Sequence, residues 1–141
     1  MKAFIILISI FFIGQKGISQ DWISVGADNE GDKWYVKSTY VSKNGFGNSQ
    51  DNIKIWTKQE LKKITIKKNG KTLTYTNAKK LQLVVADCSE QKVKFITTTV
   101  YNSQGKIIDN YTIADYEQEW KDIVPDSIGE SMLNKICELF N

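Results

Sequence analysis

The chain opens with a short apolar run that predicts export from the cytoplasm. Lys2 is followed by an apolar stretch of 11 residues, from Ala3 to Ile13. This stretch is shorter than the roughly 18–20 residues that span a bilayer. Gly17 and Ser19 supply the small residues expected before a cleavage site. The sequence therefore predicts a signal peptide over 1–19 and a mature domain over 20–141, with an uncleaved membrane anchor as the alternative.

Export defines the chemistry expected of the two cysteines, Cys88 and Cys137. In an oxidising compartment, a cysteine pair in a small domain points to a disulfide rather than to a metal site. Two unpaired thiols are the alternative. The mature chain has the size of one ordinary domain, so a single disulfide would link two parts of the same core.

Composition narrows the classes of function. The chain has no histidine, so it lacks the usual general base, the commonest metal ligand and any Ser-His or Cys-His nucleophile pair. All 19 basic residues are lysine, whereas arginine is the usual bidentate reader of phosphate and carboxylate. Lys2 and Lys16 leave with the leader, which brings the net charge close to neutral. We therefore predict no catalytic residues, no cofactor, no metal and no nucleic-acid partner.

Alternating apolar and polar runs, separated by turn residues, predict an antiparallel meander. The segment 58–66 is ambiguous, because Gln59, Glu60 and Leu61 favour a helix while Ile64 and Ile66 favour a strand; we interpret it as a strand that continues after an interruption. Lys68-Asn69-Gly70-Lys71 is typical of a tight hairpin turn. The predicted strands lie at 22–25, 33–41, 53–57, 80–88, 92–101 and 106–113.

The C-terminal segment has a different pattern, which predicts one helix. Ser127 is a suitable N-cap, and Glu130 lies three residues later, as in a capping box. A helix this short is marginal alone and must dock on the sheet. Because Cys137 lies on the docking side and Cys88 ends a strand, their disulfide would fasten the helix to the sheet. The apolar positions recur at helical spacing: Ile128, Met132, Leu133, Ile136, Cys137 and Phe140.

The predicted fold class is therefore α+β, with a single antiparallel β-sheet of about six strands and a C-terminal α-helix packed on one face and tied by the disulfide. Several residues also stand in a characteristic order over nearly the whole mature chain: Trp22, Trp34-Tyr35-Val36, Trp56, Asp87-Cys88, Tyr101, Trp120, Val124-Pro125-x-Ser127-x-Gly129-Glu130 and Cys137.

This order resembles the surface-adhesin protein E family of Gram-negative envelope proteins. Its most specific parts are the Asp-Cys strand end and the Pro-x-Ser-x-Gly-Glu…Cys helix. The resemblance implies a sheet of about six strands, a C-terminal helix tied to it by Cys88 and Cys137, and binding of host proteins. The chain departs from the arginine-rich central hairpin common in the family, because lysines stand there instead: Lys79, Lys80, Lys92 and Lys94.

These hairpin lysines are the best candidate contact surface. On adjacent antiparallel strands they are predicted to form one positive face for an acidic protein or glycan. The alternative is ordinary solvated lysine that keeps sheet edges soluble. Trp34 is a further candidate, because Tyr35 must point the opposite way and one of the two is exposed.

The remaining candidates have simpler structural explanations. The tryptophans are predicted to pack in the core and at its rim rather than to form a ligand platform. Asp115, Glu117 and Glu119 lack the ligand register of a calcium loop and are interpreted as solvated.

The sequence thus favours an exported, non-enzymatic binding protein of the periplasm or cell surface. It would contact a host protein or a protein of its own envelope, adhesin-like, through its sheet face or its hairpins. A periplasmic structural or accessory domain is the alternative function. After signal cleavage, no transmembrane segment is expected.

Overall fold

The structure, a computed structural model, describes residues 21–46 and 49–140. The predicted signal peptide lies outside the described residues. Within these ranges, no helix combines the length and the apolar character needed to traverse a lipid bilayer.

In the described residues, eight strands form one antiparallel sheet with a main path of six, in the order β1-β2-β4-β5-β6-β7. The short strands β3 and β8 pair with β4 and β6 respectively. The predicted fold class is therefore confirmed, with two short strands more than expected. The strands are β1 Trp22–Ala27, β2 Lys33–Lys37, β3 Ser42–Phe46, β4 Ser49–Lys68, β5 Lys71–Asp87, β6 Lys92–Tyr101, β7 Ile107–Thr112 and β8 Lys121–Asp122; a 3₁₀ helix spans Asp115–Glu117, and the α-helix α1 spans Ile128–Phe140.

The ambiguous segment 58–66 lies inside β4, which runs without a break from Ser49 to Lys68. The strand continues as predicted, and its pairing with β5 is interrupted at one position, Lys62 opposite Asn77: Asn77 has a φ of 52°, and the Lys62 N–H donates to Asp32 Oδ1 at 2.8 Å. Cross-strand pairing overrides the weak local helix preference of a few residues. Asn69 and Gly70 have φ angles of 51° and 73°, as both central residues of a type I′ hairpin turn require.

The distal half of this hairpin extends beyond its neighbouring strands. Pairing of β4 with β2 ends at Glu60, and pairing of β5 with β6 begins at Lys79. Residues 61–78 therefore form a two-stranded extension, which we call the ribbon.

The helix α1 packs on one face of the sheet and closes the core. Along β4, Ile53 and Ile55 point towards it, because successive strand side chains alternate between the two faces. Burying each side chain of this size contributes about 1.5–3 kcal/mol. The buried cluster consists of Val36, Ile53, Ile55, Val84, Ala86 and Val93 from the sheet, with Met132, Leu133 and Ile136 from the helix.

The start of α1 is stabilised by two side-chain hydrogen bonds. The Ser127 hydroxyl oxygen accepts from the backbone N–H of Glu130 at 3.2 Å, which satisfies one of the unpaired N–H groups of the first turn. The Glu130 carboxylate accepts from the N–H of Asp126 at 2.8 Å, one residue earlier than in a standard capping box.

A disulfide joins Cys88 and Cys137, as predicted, with a Cα–Cα distance of 5.8 Å. Cys88 directly follows β5, while Cys137 lies in the last turn of α1. The buried Asp87 side chain shapes this strand end, since its Oδ1 accepts hydrogen bonds from the N–H groups of Ser89 and Glu90. The helix is therefore held at its C-terminal end by a covalent bond and along its length by the core.

Candidate functional site

The sheet face opposite α1 carries a group of half-buried aromatic side chains. Because Ile55 points towards the helix, Trp56 next to it points away. Leu81 lies on the same side, since its register partner Lys58 is two residues from Trp56. These aromatic side chains and Leu81 together form what we call the aromatic face: Trp22, Tyr35, Trp56, Leu81 and Tyr101.

Two open grooves cross the aromatic face, and Trp22 borders both of them. The first has a volume of about 290 Å³ and the second of about 550 Å³. Tryptophan and tyrosine side chains offer large apolar areas with a polar atom at one end, which suits contact surfaces. The first groove is lined by Trp22, Lys37, Trp56, Leu81, Thr99 and Tyr101; the second is lined by Asp21, Trp22, Ser24, Lys33, Tyr35 and Lys58.

Two lysines lie over the rings of this face. The Lys58 Nζ is 3.9 Å from the centroid of the Tyr35 ring and 5.4 Å from that of Trp22. The Lys37 Nζ is 5.0 Å from the centroid of the Trp22 ring. Cations over aromatic faces are held by the ring quadrupole, while the alkyl stems cover apolar surface. The lysines therefore place positive charge at the groove rims without closing the grooves.

A hydrogen-bonded network orders the centre of the second groove. The Tyr35 hydroxyl donates to Glu60 Oε2 at 3.0 Å, and Lys58 Nζ donates to Glu60 Oε1 at the same distance. Burial, together with the neighbouring Glu60 carboxylate, raises the pKa of the Tyr35 phenol. Burial also acts to raise the pKa of Glu60, but the hydrogen bonds from Lys58 and Tyr35 outweigh it and lower that pKa. The network thus holds a neutral phenol and a paired carboxylate, an arrangement suited to binding.

Register places Lys79, Lys92 and Lys94 on one side of the sheet and Lys80 on the other, so the structure does not bring all four hairpin lysines onto the single face predicted from the sequence. Lys79 pairs with Glu60, while Lys80 pairs with the buried Gln59. Neighbouring residues point to opposite faces, so Lys79 lies on the side of the aromatic face and Lys80 on the helix side. Burial lowers the pKa of Lys80 against the attraction of nearby carboxylates.

The other two lysines lie at the far end of the same strands. Lys94 pairs with Val85, six residues along β5 from Lys79, and its Nζ is 4.9 Å from the centroid of the Trp120 ring. Lys92 Nζ forms an ion pair with Asp122 at 3.8 Å. Six strand residues span about 20 Å, so these charges act locally rather than as one patch.

Trp34 lies on the helix side of the sheet and packs against the core cluster. Its indole N–H donates to Asp28 Oδ2 at 3.0 Å. This hydrogen bond is the largest cause of the lowered pKa of Asp28. Backbone N–H groups that donate to the same carboxylate lower the pKa further, while desolvation acts to raise it. Of the two neighbouring aromatics, Tyr35 is therefore the one on the open face.

Sequence reasoning missed the aromatic face as a unit. It assigned the tryptophans to core and rim, whereas Trp22 and Trp56 lie on the side away from the core. One sequence pattern could have indicated an aromatic strip on the second face. Lys54, Trp56 and Lys58 alternate with Ile53 and Ile55, so they lie on the opposite side of the strand.

The acidic segment is an exposed turn. Asp115 and Glu117 lie in the 3₁₀ helix, where Gln118 donates to Asp115 Oδ1 at 2.9 Å. Across the part of the chain that the structure describes, no group of three or more acidic or cysteine side chains is arranged to hold a metal ion.

The lowered pKa values of Asp28 and Glu60 predict a loss of stability in acid. Both carboxylates bind protons less readily when folded than when unfolded. Their stabilisation is therefore complete above the unfolded pKa, near 4, and is lost as the pH falls through the lower folded values. Urea unfolding from pH 7 to pH 3 should show this decline, with a weaker slope in the double variant Asp28→Asn, Glu60→Gln. Equal slopes in the two proteins would contradict the assignment.

One sheet with a disulfide-fastened helix on one side and an open aromatic face on the other defines a small α+β domain. The model of the family described as surface-adhesin protein E matches residues 22–138. The chain belongs to this family, which confirms the resemblance found in the sequence. Neither a curated protein nor a solved structure matches the chain.

Proposed function

We propose that this chain is an exported, non-enzymatic binding protein of the cell envelope or cell surface, and that it contacts a protein partner through the aromatic face. Membership of the surface-adhesin protein E family supports a surface role. The observation that carries the proposal is the position of Trp22, Tyr35 and Trp56 on the sheet side away from α1, half-buried and bordering open grooves.

The chemistry of the face indicates the kind of partner. Trp and Tyr are enriched in the energetically dominant parts of protein interfaces, where they lose little side-chain entropy on binding. The groove lined by Trp22 and Trp56, about 290 Å³ in volume, has room for an apolar side chain of the partner. The ammonium groups of Lys37 and Lys58 at the rims are paired with Asp21 at 3.3 Å and with Glu60 at 3.0 Å, so the rims offer charge-balanced polar groups beside that side chain. The partner is therefore a protein segment that presents apolar side chains to the aromatic face.

Site-specific photo-crosslinking in the producing organism, and in the presence of host extracellular protein, tests this assignment. Tyr101 lies on the aromatic face, and Tyr111 lies on the helix side of β7, 50% exposed, because its register partner Thr98 is buried. A benzophenone amino acid at position 101 should give a discrete protein adduct, and the same group at position 111 should not. Adducts from position 111 alone would place binding elsewhere.

The compartment is tested separately by protease treatment of whole cells. A surface-bound adhesin should be digested while the outer membrane is intact. If the protein is cut only after that membrane is broken, the adhesin form of the proposal fails and a periplasmic accessory role replaces it. The crosslinked partner should then be an envelope protein of the same cell.

A further inference from the structure

The ribbon has a composition unlike the rest of the sheet. Residues 61–78 contain five lysines and no aspartate or glutamate. Among the described residues, its two strands pair only with each other, since the neighbouring strands stop at Glu60 and Lys79. Eight residues per strand give a projection of about 25 Å. At its base, Leu61 and Ala78 are buried and the Lys62 N–H donates to Asp32 Oδ1 at 2.8 Å; beyond that base the ribbon is a positively charged arm outside the core. Its lysines are Lys62, Lys63, Lys67, Lys68 and Lys71.

One side of the ribbon is apolar. Ile64 pairs with Tyr75 and Ile66 pairs with Leu73, so these four side chains share one face. They pack on one another, yet Leu73 remains 40% exposed, and none of the four belongs to the core cluster. We call them the apolar stripe. An apolar surface on a projecting arm contributes little to folding the domain.

Lysines stand at both ends of the apolar stripe. Lys68 and Lys71 face each other at the hairpin tip. Lys62 lies at the base, on the same side of the ribbon as the apolar stripe. Like charges directly opposite one another in a sheet are unfavourable, and within the ribbon no acidic residue offsets them. The opposite side of the ribbon is polar, with Thr65 and Thr74 in hydrogen-bond contact at 3.2 Å. The tip therefore favours an anionic partner.

We propose that the ribbon docks on the surface of an anionic lipid bilayer. An element with apolar side chains on one face and lysines around them lies in the membrane interface, with its apolar side towards the acyl chains and its ammonium groups at the phosphates. Tyrosine is suited to that depth, because its ring is apolar and its hydroxyl stays hydrated. A soluble polyanion would use the lysines but would leave the exposed Leu73 and its neighbours without a matching environment. The apolar stripe lies on the same side of β4 as Trp56, eight residues along the strand at Ile64, but the proposal uses ribbon residues alone.

Flotation with lipid vesicles tests the proposal, using the protein recovered from the envelope of producing cells so that all variants share one N-terminus. Vesicles of phosphatidylcholine with phosphatidylglycerol should bind the protein, and vesicles of phosphatidylcholine alone should not. An apolar N-terminal segment would bind both kinds of vesicle, which separates its contribution from that of the ribbon. Equal binding to the two kinds would overturn the proposal.

The lysines are tested by the triple variant Lys62→Gln, Lys68→Gln, Lys71→Gln, the three that flank the apolar stripe. Each lysine near an anionic surface contributes about fivefold to binding, so the triple change should lower affinity about 100-fold. The matched control is Lys106→Gln, Lys121→Gln, Lys135→Gln, which removes the same charge outside the ribbon and should change affinity only a few fold. Equal losses in the two triple variants would mean a general charge effect and would overturn the docking site.

The apolar stripe is tested by the double variant Ile66→Thr, Leu73→Thr. Threonine is β-branched, so both positions remain compatible with a strand. We expect about a tenfold weaker binding to the anionic vesicles, because two apolar side chains no longer enter the interface. Unchanged binding would show a site for soluble polyanions or acidic proteins rather than for a bilayer. Thermal unfolding of each variant, with the midpoint close to wild type, verifies that the fold is intact.

Discussion

Removal of the disulfide between Cys88 and Cys137 is expected to lower the free energy of unfolding by about 4 kcal/mol. The bond links residues 49 positions apart, and opening it restores the freedom of that long loop in the unfolded chain. Domains of this size are stable by only about 5–15 kcal/mol. For the double variant Cys88→Ser, Cys137→Ser we therefore expect a melting temperature about 15 °C lower, as measured by circular dichroism.

Reducing agent supplies the matched control for this prediction. Dithiothreitol should lower the melting temperature of the wild type towards that of the double variant, and it should not affect the double variant itself. Amide hydrogen exchange should accelerate first in α1, because Cys137 lies in its last turn. A double variant that melts with the wild type would show that core packing alone holds the helix.

Replacement of Leu133 by alanine is expected to cost about 3 kcal/mol, within the 2–5 kcal/mol range of such buried changes. Leu133 is fully buried between α1 and the sheet, where truncation loses apolar burial and leaves a cavity. Urea unfolding with the disulfide intact measures this cost separately from the covalent link.

Neighbouring Asn134 provides the control, since it is exposed on the same helix. Asn134→Ala should change the free energy of unfolding by no more than about 0.5 kcal/mol. Leu139→Ala, at a position 38% exposed, should fall between the two. Equal losses at positions 133 and 139 would contradict the docking geometry of α1.

Elements with local signals were predictable from the sequence. Asn69-Gly70 indicates its turn, because few residues adopt two consecutive positive φ angles. Ser127 and the helical spacing up to Phe140 indicate the start and the docking side of α1. The cysteine pair follows from predicted export, since with two cysteines in the chain only one intramolecular pairing is possible.

Elements that depend on register were predicted less well. Lys79 and Lys80 are adjacent in sequence but lie on opposite faces of the sheet. Only the pairing with β4 decides which of the two lies on the helix side. The same question arises for Trp34 and Tyr35. Because Val36 lies in the core, Trp34, two residues before it, lies on the helix side and Tyr35 lies on the open face. The strand between 58 and 66 has mixed local preferences, and its partner β5 decides its conformation.

The sequence by itself determined the class of the domain, the disulfide and the capped helix, because these depend on residue types at short or forced spacings. Only the tertiary structure decided which sheet face α1 covers, and therefore that Trp22, Tyr35 and Trp56 lie together on the open face. It also decided that the ribbon projects beyond its neighbouring strands. Both outcomes follow from strand register, which brings distant residues side by side and which local patterns do not encode.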